Sequence, residues 1–411
     1  MADKKFIVIG GGAAGIFCAI NAARLNPSLK VIIVEKTGKL LSKVKVSGGG
    51  RCNVTHSCFD LIEMSRQYPR GANFIKKTFH RFFTTDTIQW FEERGVKLKT
   101  ENDGRMFPIT DSSQTIIECL MKEANRFGVQ VIMHSEIKGL ALDSGKFILT
   151  FSDGRNEVSD FVCIATGGYP KSSMFDWLRE LGHSIEDPVP SLFTFNMPGN
   201  TITKLMGVSV ENATVKIAGS KLVVHGPVLI THWGLSGPAI LRLSAWGARE
   251  FAVNQYQFTV IINWIPDFNE QELKEEFQII RTNPGSQKII NKNPFGLAQR
   301  LWQFLLESSG IDPDTRWADL PGREQNKLIK SLTSFECSVH GKTTFKEEFV
   351  TAGGINLSEV NANTMMSKKI PNLFYAGEVL NVDGITGGYN FQHAWTSGWI
   401  AGASAAEFAT E

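Results

Sequence analysis

The feature that most constrains this chain lies near its start, where an apolar segment leads directly into a glycine-rich turn. Residues 5–9 are Lys-Phe-Ile-Val-Ile, and Gly10, Gly12 and Gly15 follow with the spacing Gly-x-Gly-x-x-Gly. A helix-compatible segment and a second apolar run, 31–34, come next. This order predicts a βαβ unit: the first glycine permits a tight turn, the second lets a phosphate approach the backbone, and the third lets the helix pack on the strand.

Glu35 directly follows the second apolar run. An acid at this place is suited to accept hydrogen bonds from ribose hydroxyls, whereas a 2′-phosphate would be matched by an arginine. The N–H groups at the start of the intervening helix would hold a pyrophosphate. The segment therefore predicts that the chain binds the ADP half of FAD or NAD rather than NADP.

Three more glycine-rich turns follow apolar segments or open a helix. They lie at 165–168 (Ala-Thr-Gly-Gly), at 375–378 (Tyr-Ala-Gly-Glu) and at 387–390 (Gly-Gly-Tyr-Asn), with Asp383 in the loop between the last two. An acid at 378 or 383 is suited to bind the hydroxyls of a ribityl chain, and the start of a helix at 389 would stabilise negative charge on a reduced flavin ring. Because a flavin needs both an ADP site and a second site for its ring, this pattern favours FAD over NAD.

The charge of the chain is balanced overall but not locally. The formal net charge is only +2, whereas segment 36–81 holds ten Lys and Arg residues against Asp60 and Glu63. One interpretation is a solvated face with a few phosphate contacts to the cofactor. The other is a surface that faces a polyanion such as RNA.

Other bulk properties exclude several classes of protein. No apolar run reaches the eighteen or so residues of a membrane-spanning helix, so we expect no membrane segment. The six cysteines are scattered without a Cys-x-x-Cys pair or metal-type spacing. We therefore expect free thiols, no metal site and a location in the reducing cytoplasm.

The apolar patterns predict an α/β fold with an insertion. We expect a nucleotide-binding domain formed by 1–190 and 346–411, interrupted by 191–345, whose part 266–333 is helical. Segment 36–56 is predicted to be a loop, and 191–262 to be mainly short antiparallel strands. Other helices are predicted near 60–66, 72–80, 84–94, 112–127, 271–281, 295–308, 323–331 and 389–408. Other strands are predicted near 96–100, 105–108, 129–134, 137–142, 147–151, 161–165, 335–339, 348–351 and 373–376.

Several longer motifs resemble the signature of the HI0933-like family of bacterial FAD-dependent oxidoreductases. They are the runs 47–55 (Ser-Gly-Gly-Gly-Arg-Cys-Asn-Val-Thr), 104–108 (Gly-Arg-Met-Phe-Pro), 231–238 (Thr-His-Trp-Gly-Leu-Ser-Gly-Pro) and 377–390. The resemblance implies a Rossmann-like FAD domain of glutathione-reductase type, split by an inserted β-barrel-like and helical module. Relatives are associated with reduction of C=C bonds in ketosteroids, oxidation of small amines and reduction of a uracil in ribosomal RNA, so the substrate stays open.

The run 47–53 suits a position beside a flavin. Its three glycines expose N–H groups, Arg51 would offset pyrophosphate charge, and Asn53 would bond to the edge of the ring. The residues predicted to contact the cofactor are Gly10, Gly12, Ala13, Ala14, Gly15, Glu35, Lys36, Lys43, Ser47, Gly48, Gly49, Gly50, Arg51, Cys52, Asn53, Ile137, Ala165, Thr166, Gly167, Gly168, Gly377, Glu378, Asp383, Gly387, Gly388, Tyr389 and Asn390.

Four residues are candidates for substrate binding or proton transfer. Arg105 is either a ligand for substrate or phosphate or an exposed loop arginine. Ser236 is predicted to be the N-cap of a helix that begins Gly237-Pro238, where an anionic substrate group would fit. His232 is either a proton donor or a structural histidine, and Tyr389 either donates a proton to an enolate or forms a stacking wall.

Cys52 and Cys58 suggest an alternative, because flavin disulfide reductases carry paired cysteines beside the ring. Here five residues separate the thiols instead of the usual four, and no second Gly-x-Gly-x-x-Gly for a pyridine nucleotide is present. NAD(P)H would therefore dock transiently over the flavin, unless the enzyme is an oxidase that uses oxygen.

Three functions remain after these arguments. The first is an NAD(P)H-driven reductase that passes hydride from flavin N5 to an electron-poor C=C bond, in an RNA uracil or a small enone. The second is a flavin oxidase of a small amine or aminoketone. The third is a flavin-containing RNA-binding factor that contacts RNA through segment 36–81. The oligomeric state is not indicated by the sequence.

Overall fold

The computed structural model describes residues 4–282, 285–344 and 350–410. They form two compact units, one within Met1–Ser191 and Phe345–Glu411 and the other within Leu192–Thr344. The predicted boundary at 345–346, and the first two residues of the strand predicted at 348–351, lie outside the described residues.

Elements are numbered in chain order. The strands of the first unit are β1 (Lys5–Ile9), β2 (Lys30–Val34), β3 (Thr55–His56), β4 (Leu98–Thr100), β5 (Arg105–Pro108), β6 (Gln130–Ile132), β7 (Ile137–Asp143), β8 (Lys146–Phe151), β9 (Asn156–Ser159), β10 (Phe161–Ile164), β11 (Ile185–Ser191), β19 (Val350–Ile355) and β20 (Leu373–Tyr375). Its helices are α1 (Ala13–Leu25), α2 (Ser42–Gly50), α3 (Leu61–Ser65), α4 (Ala72–Phe79), α5 (Thr84–Glu92), α6 (Ser113–Arg126), α7 (Asp176–Glu180) and α13 (Tyr389–Phe408).

A five-stranded parallel sheet organises the first unit, in the order β20-β10-β1-β2-β6. Its central strands are apolar and buried on both faces, as Phe6, Ile7 and Val8 show. Helices α1 and α13 contact strands of this sheet, and so do strands β8 and β9 of an antiparallel sheet. Strand order reverses between β1 and β10, and ligands of doubly wound folds bind at this point, beyond the carboxyl ends of the strands. The sheet confirms the predicted α/β fold class.

Helices α1 and α13 cross closely because of two glycines. A Cβ atom on Gly398 would lie 2.5 Å from the carbonyl oxygen of Ala14, and one on Gly402 would collide with the carbonyl oxygen of Cys18. Larger side chains would force the helices apart. The two glycines therefore help to set the start of α13 near the glycine-rich turn that precedes α1.

Smaller antiparallel sheets complete the first unit, in the orders β3-β5-β4, β7-β8-β9 and β11-β19. The helices predicted near 60–66, 72–80, 84–94 and 112–127 are confirmed as α3 to α6, and the Ser112 hydroxyl caps α6. The prediction of a loop at 36–56 was wrong because the segment contains α2, and β9, β11 and α7 were missed. Helix α2 is hard to recognise because Ser47, Gly48 and Gly49 are non-helical inside it.

The second unit is built on a seven-stranded antiparallel sheet, in the order β17-β16-β13-β14-β15-β12-β18. Its strands are β12 (Thr194–Asn196), β13 (Ser209–Ile217), β14 (Val223–Thr231), β15 (Gly234–Ser236), β16 (Gln257–Asn263), β17 (Phe335–His340) and β18 (Lys342–Thr343). Its helices are α8 (Pro238–Trp246), α9 (Ala248–Val253), α10 (Glu270–Thr282), α11 (Gln299–Ser308) and α12 (Gly322–Thr333).

Two helix starts in this unit differ from the predictions. Gly237, not Ser236, is the N-cap of α8, because Ser236 still pairs with Leu229 as the last residue of β15. Helix α11 begins at Gln299, after a turn in which the Asn293 side chain accepts from the backbone N–H of Phe295. In the described parts of the chain, no helix combines the length and apolar character needed to span a bilayer.

Candidate functional site

The first glycine-rich turn follows β1, at the point where the strand order of the parallel sheet reverses. Gly10 follows β1 and has φ +113°, and a Cβ there would collide with the carbonyl oxygen of Ala165, so the turns after β1 and β10 lie side by side. Gly12 occupies the N-cap position of α1, and no side chain there bonds to the first N–H groups of the helix. A Cβ on Gly12 would meet nothing within 4 Å. The first N–H groups of α1 therefore adjoin open space that an anion can fill.

Glu35 lies beside this turn, as the sequence predicts. Its Oε2 accepts from the backbone N–H of Gly11 at 2.8 Å, and its Oε1 accepts from the backbone N–H of Thr37 at 2.8 Å. The carboxylate is half-buried and is therefore fixed next to the glycine turn. Lys36 is exposed, with its ammonium 5.9 Å from the ring centre of Tyr169.

The run 47–53 turns sharply within the first unit. Gly48, Gly49 and Gly50 all have positive φ angles, and Cβ atoms on the last two would meet nothing within 4 Å. Arg51 lies 4.0 Å above the ring of Phe107 and forms an ion pair with Glu101 at 2.5 Å. The charge of Arg51, which the sequence assigns to a pyrophosphate, is therefore already partly compensated within the protein.

Asn53 joins this run to the start of α13. In the orientation that satisfies both ends of its amide, it accepts from the backbone N–H of Gly388 at 2.9 Å and donates to the carbonyl of Thr55 at 3.0 Å. Gly388 has φ +94°, and a Cβ on it would lie 2.5 Å from the same carbonyl oxygen. Asn53 thus braces the helix start, and its amide is engaged with protein partners.

Glu378 occupies the end of the turn after β20. Its Oε1 accepts from the backbone N–H of Thr351 at 2.8 Å, and its Oε2 is 2.6 Å from the ammonium of Lys43. A Cβ on Gly168 would collide with Thr351, whereas one on Gly167 would meet nothing within 4 Å. The turn after β10 is therefore tight on one side and open on the other.

Histidine 393 supports the turn at Gly377 from inside α13. Its Nε2 is 3.2 Å from the carbonyl oxygen of Gly377, and the Ser397 hydroxyl accepts from the Gly377 N–H at 2.9 Å. Burial lowers the pKa of His393 to about 4, so the ring is neutral and Nε2 carries its hydrogen. This fixes the turn without adding charge.

Asp383 is deeply buried rather than open to a ligand. Its Oδ1 accepts from Arg70 Nε at 2.6 Å, and its Oδ2 accepts from the Ser191 hydroxyl at 2.8 Å. Burial raises the pKa of Asp383, while the guanidinium of Arg70 acts in the opposite direction. Asn390 is also bound internally, through two hydrogen bonds with the backbone of Gly384.

The start of α13 brings two rings together. Tyr389 is stacked on His56 with ring centres 4.7 Å apart, and the Tyr68 hydroxyl donates to the backbone carbonyl of Tyr389 at 2.6 Å. Sequence reasoning selected Tyr389 but missed His56. The sequence feature that could have pointed to His56 is its position immediately after the run 47–55. That position does not reveal that its ring contacts a helix more than three hundred residues away in the chain.

Several predicted residues lie in other surroundings. Ile137 belongs to β7, where it pairs with Phe151 in an antiparallel sheet. Arg105 is bonded to Asp103 at 2.7 Å and also pairs with Glu101, so it is held by carboxylates of its own hairpin. In the second unit, His232 packs against Trp233 with ring centres 4.0 Å apart, and Ser236 ends β15.

The cysteines argue against a redox dithiol. All six are free thiols. Burial raises the pKa of Cys52 to about 12, and burial also raises the pKa of Cys58. Neither sulfur is therefore disposed to form the thiolate that disulfide exchange requires.

Taken residue by residue, the described part of the first unit fits a dinucleotide that carries a second ring system. Open space lies beside Gly12, Gly49, Gly50 and Gly167, and the start of α1 is uncapped. The Thr351 hydroxyl, next to Gly168, is buried without a hydrogen-bond partner among the described residues. Glycines that adjoin space rather than packed atoms are what close approach of a bound group requires.

Known proteins are similar to this sequence along nearly its whole length. The model of the family described as HI0933-like protein Rossmann domain matches residues 4–404. A ribosomal RNA dihydrouridine synthase of Escherichia coli K12 is 30% identical over 403 residues, which cover 96% of each chain. A 3-dehydro-bile acid delta(4,6)-reductase of Clostridium scindens is 27% identical over 420 residues, 97% of this chain and 98% of the relative.

Solved structures share the fold. A 3-ketosteroid-delta4-(5alpha)-dehydrogenase of Rhodococcus jostii RHA1 matches 99% of this chain and 98% of its own, with a TM-score of 0.52 and 14% sequence identity. At that identity the likeness shows the fold alone. Together with the family match, the parallel sheet and its glycine turns show that the chain belongs to the HI0933-like family of FAD-dependent oxidoreductases.

Proposed function

We propose that this protein reduces an electron-poor C=C bond with electrons from NAD(P)H, and that the acceptor is a uracil in RNA or, next in order, a small enone. The observation that carries the proposal is the open, glycine-lined space beyond β1 and β10, in a chain that aligns end to end with a dihydrouridine synthase and a delta(4,6)-reductase. Both relatives have names that denote addition of hydrogen across C=C bonds.

Within this proposal the first unit binds the cofactor with backbone groups. The N–H groups at the start of α1 hold the pyrophosphate, and Glu35, fixed by the Gly11 N–H, accepts from a ribose hydroxyl. The N-terminus of α13, opened by Gly387 and Gly388, favours negative charge near Tyr389. When bound, FAD supplies the hydride.

The donor is proposed to dock transiently. The sequence carries one Gly-x-Gly-x-x-Gly fingerprint, which the cofactor uses, and it has no second one for a pyridine nucleotide. NADH or NADPH would therefore bind over the flavin and leave before the acceptor enters.

Exposed cations support RNA as the acceptor, although fewer are free than the sequence count indicates. Lys43, Arg51 and Arg70 form ion pairs with carboxylates. The other seven Lys and Arg residues of segment 36–81 are exposed, and the described residues place no carboxylate in an ion pair with them. These seven are Lys36, Lys39, Lys45, Arg66, Lys76, Lys77 and Arg81.

The outer face of α4 is the most compact part of this surface. Phe74, Ile75 and Phe79 are buried, so Lys76 and Lys77 point away from the core. The N-cap of the same helix, Gly71, follows the residue that pairs with Asp383. Helix α4 also contacts α13, so RNA phosphates on this face would lie on an element that adjoins the helix of Tyr389.

The proposal is tested by separating the two half-reactions. Purified protein is loaded with FAD, reduced anaerobically with NADH or NADPH, and then mixed with a uracil-containing RNA hairpin, with 2-cyclohexen-1-one or with oxygen. We expect flavin to be bleached by a pyridine nucleotide and restored by the RNA or the enone. Oxygen uptake with an amine substrate and no NAD(P)H would instead indicate an oxidase, and tight RNA binding without turnover would indicate an RNA-binding factor.

A further inference from the structure

His56 is held against the start of α13 by a hydrogen bond that fixes its tautomer. Its Nδ1 is 3.0 Å from the carbonyl oxygen of Gly387, and its ring is stacked on Tyr389 with an angle of 23° between the planes. Because a carbonyl oxygen can only accept, Nδ1 carries hydrogen. Nε2 is therefore the nitrogen that gains and loses a proton.

Gly104 encloses the same ring from the β4–β5 hairpin. A Cβ on Gly104 would lie 2.5 Å from Nε2 and 2.8 Å from Cε1 of His56, so no other residue fits there without moving the imidazole. The backbone N–H of Ser57 donates to the Gly104 carbonyl at 2.8 Å, which ties the hairpin to the strand of His56. Gly104 also has φ +84°, so both its backbone conformation and the ring of His56 favour glycine at the start of the motif 104–108.

Charges of both signs lie near His56. Asp103 and Arg105 act on it from the hairpin with opposite signs, and they are bonded to each other at 2.7 Å. Glu101 also pairs with Arg105. The first turn of α13 adds no acid, and the neighbour on that side is the phenol of Tyr389.

Among these influences, burial has the largest effect on the pKa of this half-buried ring. Burial lowers the pKa of His56, and the bond to Gly387 opposes this only in part. The imidazolium is therefore a stronger acid than the imidazolium of a histidine in water.

We propose that His56 is the proton donor of the reduction, with Tyr389 stacked against it to set the plane of its ring. This inference rests on the proposed function. One carbon of the C=C bond gains the hydride, and the electron pair of the broken π bond takes the Nε2 proton to form the second C–H bond. NAD(P)H is oxidised to NAD(P)⁺, the acceptor gains two hydrogens, and neutral His56 recovers a proton from water.

The test compares His56→Phe with His80→Gln, using protein loaded with FAD. Phenylalanine keeps an aromatic ring against Tyr389 but cannot carry a proton, and His80 is an exposed histidine just after α4 in the same unit. In His56→Phe we expect flavin reduction by NADPH to stay within twofold of wild type. Reoxidation by 2-cyclohexen-1-one or the RNA hairpin should slow about 100-fold, in the range of general-acid catalysis. In wild type and His80→Gln, the rate of flavin reoxidation should fall as pH rises above the pKa of His56. In His56→Phe, the slow rate of reoxidation should not change with pH in this way.

A second measurement requires no acceptor. If His56 adjoins the flavin, its titration should shift the visible flavin spectrum of wild type and of His80→Gln, but not that of His56→Phe. An unchanged pH profile in His56→Phe, equal slowing of both half-reactions, or a wild-type spectrum that does not titrate would each overturn the inference. If no acceptor reoxidises wild type, the proposed function fails, while the spectrum still shows whether His56 lies beside the flavin.

Discussion

Gly12 allows cofactor binding to be separated from folding by a single methyl group. Its φ of −83° is accessible to alanine, and the new Cβ would meet no protein atom within 4 Å. The methyl group would instead occupy the open space beside the first turn of α1, where the pyrophosphate is proposed to bind. We therefore expect Gly12→Ala to weaken FAD binding without unfolding the protein.

The two effects differ in size and can be estimated separately. A hydrogen bond to a charged group contributes about 1.5–3 kcal/mol, so losing one or two phosphate bonds costs about 3 kcal/mol, or roughly 100-fold in Kd. Folding changes much less. Alanine is a poorer N-cap than glycine by several tenths of a kcal/mol or more, but it restricts the unfolded chain by about 0.4–1 kcal/mol, and these terms nearly cancel.

The assay measures FAD affinity by flavin fluorescence and the melting temperature of the cofactor-free protein. Gly322→Ala is a matched control, because Gly322 also lies at a helix start and a Cβ there would meet nothing within 4 Å. Both variants should melt within about 4 °C of wild type, and only Gly12→Ala should lose FAD affinity. Unchanged FAD affinity in Gly12→Ala would refute the placement of the pyrophosphate beside Gly12. An equal loss of FAD affinity in Gly322→Ala would refute the argument that the effect comes from the space beside Gly12.

Three further predictions concern buried charge, acid stability and RNA. Arg70→Met leaves Asp383 buried without its cation, and should lower the free energy of unfolding by about 3–5 kcal/mol in urea titrations. His393 titrates at about 4 in the folded protein against about 6.5 unfolded, so the unfolded state binds more protons between these values. The free energy of unfolding that His393 contributes above pH 6.5 is thus lost as pH falls toward 4. Over this range the free energy of unfolding of His393→Gln should fall by about 3 kcal/mol less than that of wild type. The double variant Lys76→Gln, Lys77→Gln should reduce the slope of log binding constant against log salt for the RNA hairpin by up to about 2.

Each of these has a control of the same chemistry. Arg105→Met removes an exposed ion pair and should lower the free energy of unfolding by no more than about 1 kcal/mol. Equal losses of stability in Arg70→Met and Arg105→Met would contradict the argument that burial of Asp383 makes its ion pair important. His80→Gln should leave the acid limb of stability as in wild type. The double variant Lys30→Gln, Lys97→Gln removes two exposed lysines outside segment 36–81, and an equal loss of salt dependence there would argue against a specific RNA face.

The parts of the site that the sequence predicted are those made by local backbone geometry. The turn Gly10–Gly15 and the acid at Glu35 need only a strand, a turn and a helix in succession, and the structure shows those elements there. The roles given to isolated side chains depend on partners far along the chain. The carboxylate of Asp383 is taken by Arg70, and the N-cap expected at Ser236 moved because strand pairing with Leu229 continued through it.

The same division applies to the chemistry. Anion binding at a helix start is a backbone property, so it can be read from glycine spacing. Proton transfer depends on a titratable side chain whose neighbours come from different segments. Here those neighbours are the carbonyl of Gly387, the ring of Tyr389 and the bare backbone of Gly104, none of which adjoins His56 in sequence. Members of this family that keep the turn of Gly10–Gly15 but change this cluster should therefore keep FAD and differ in the acceptor that they reduce.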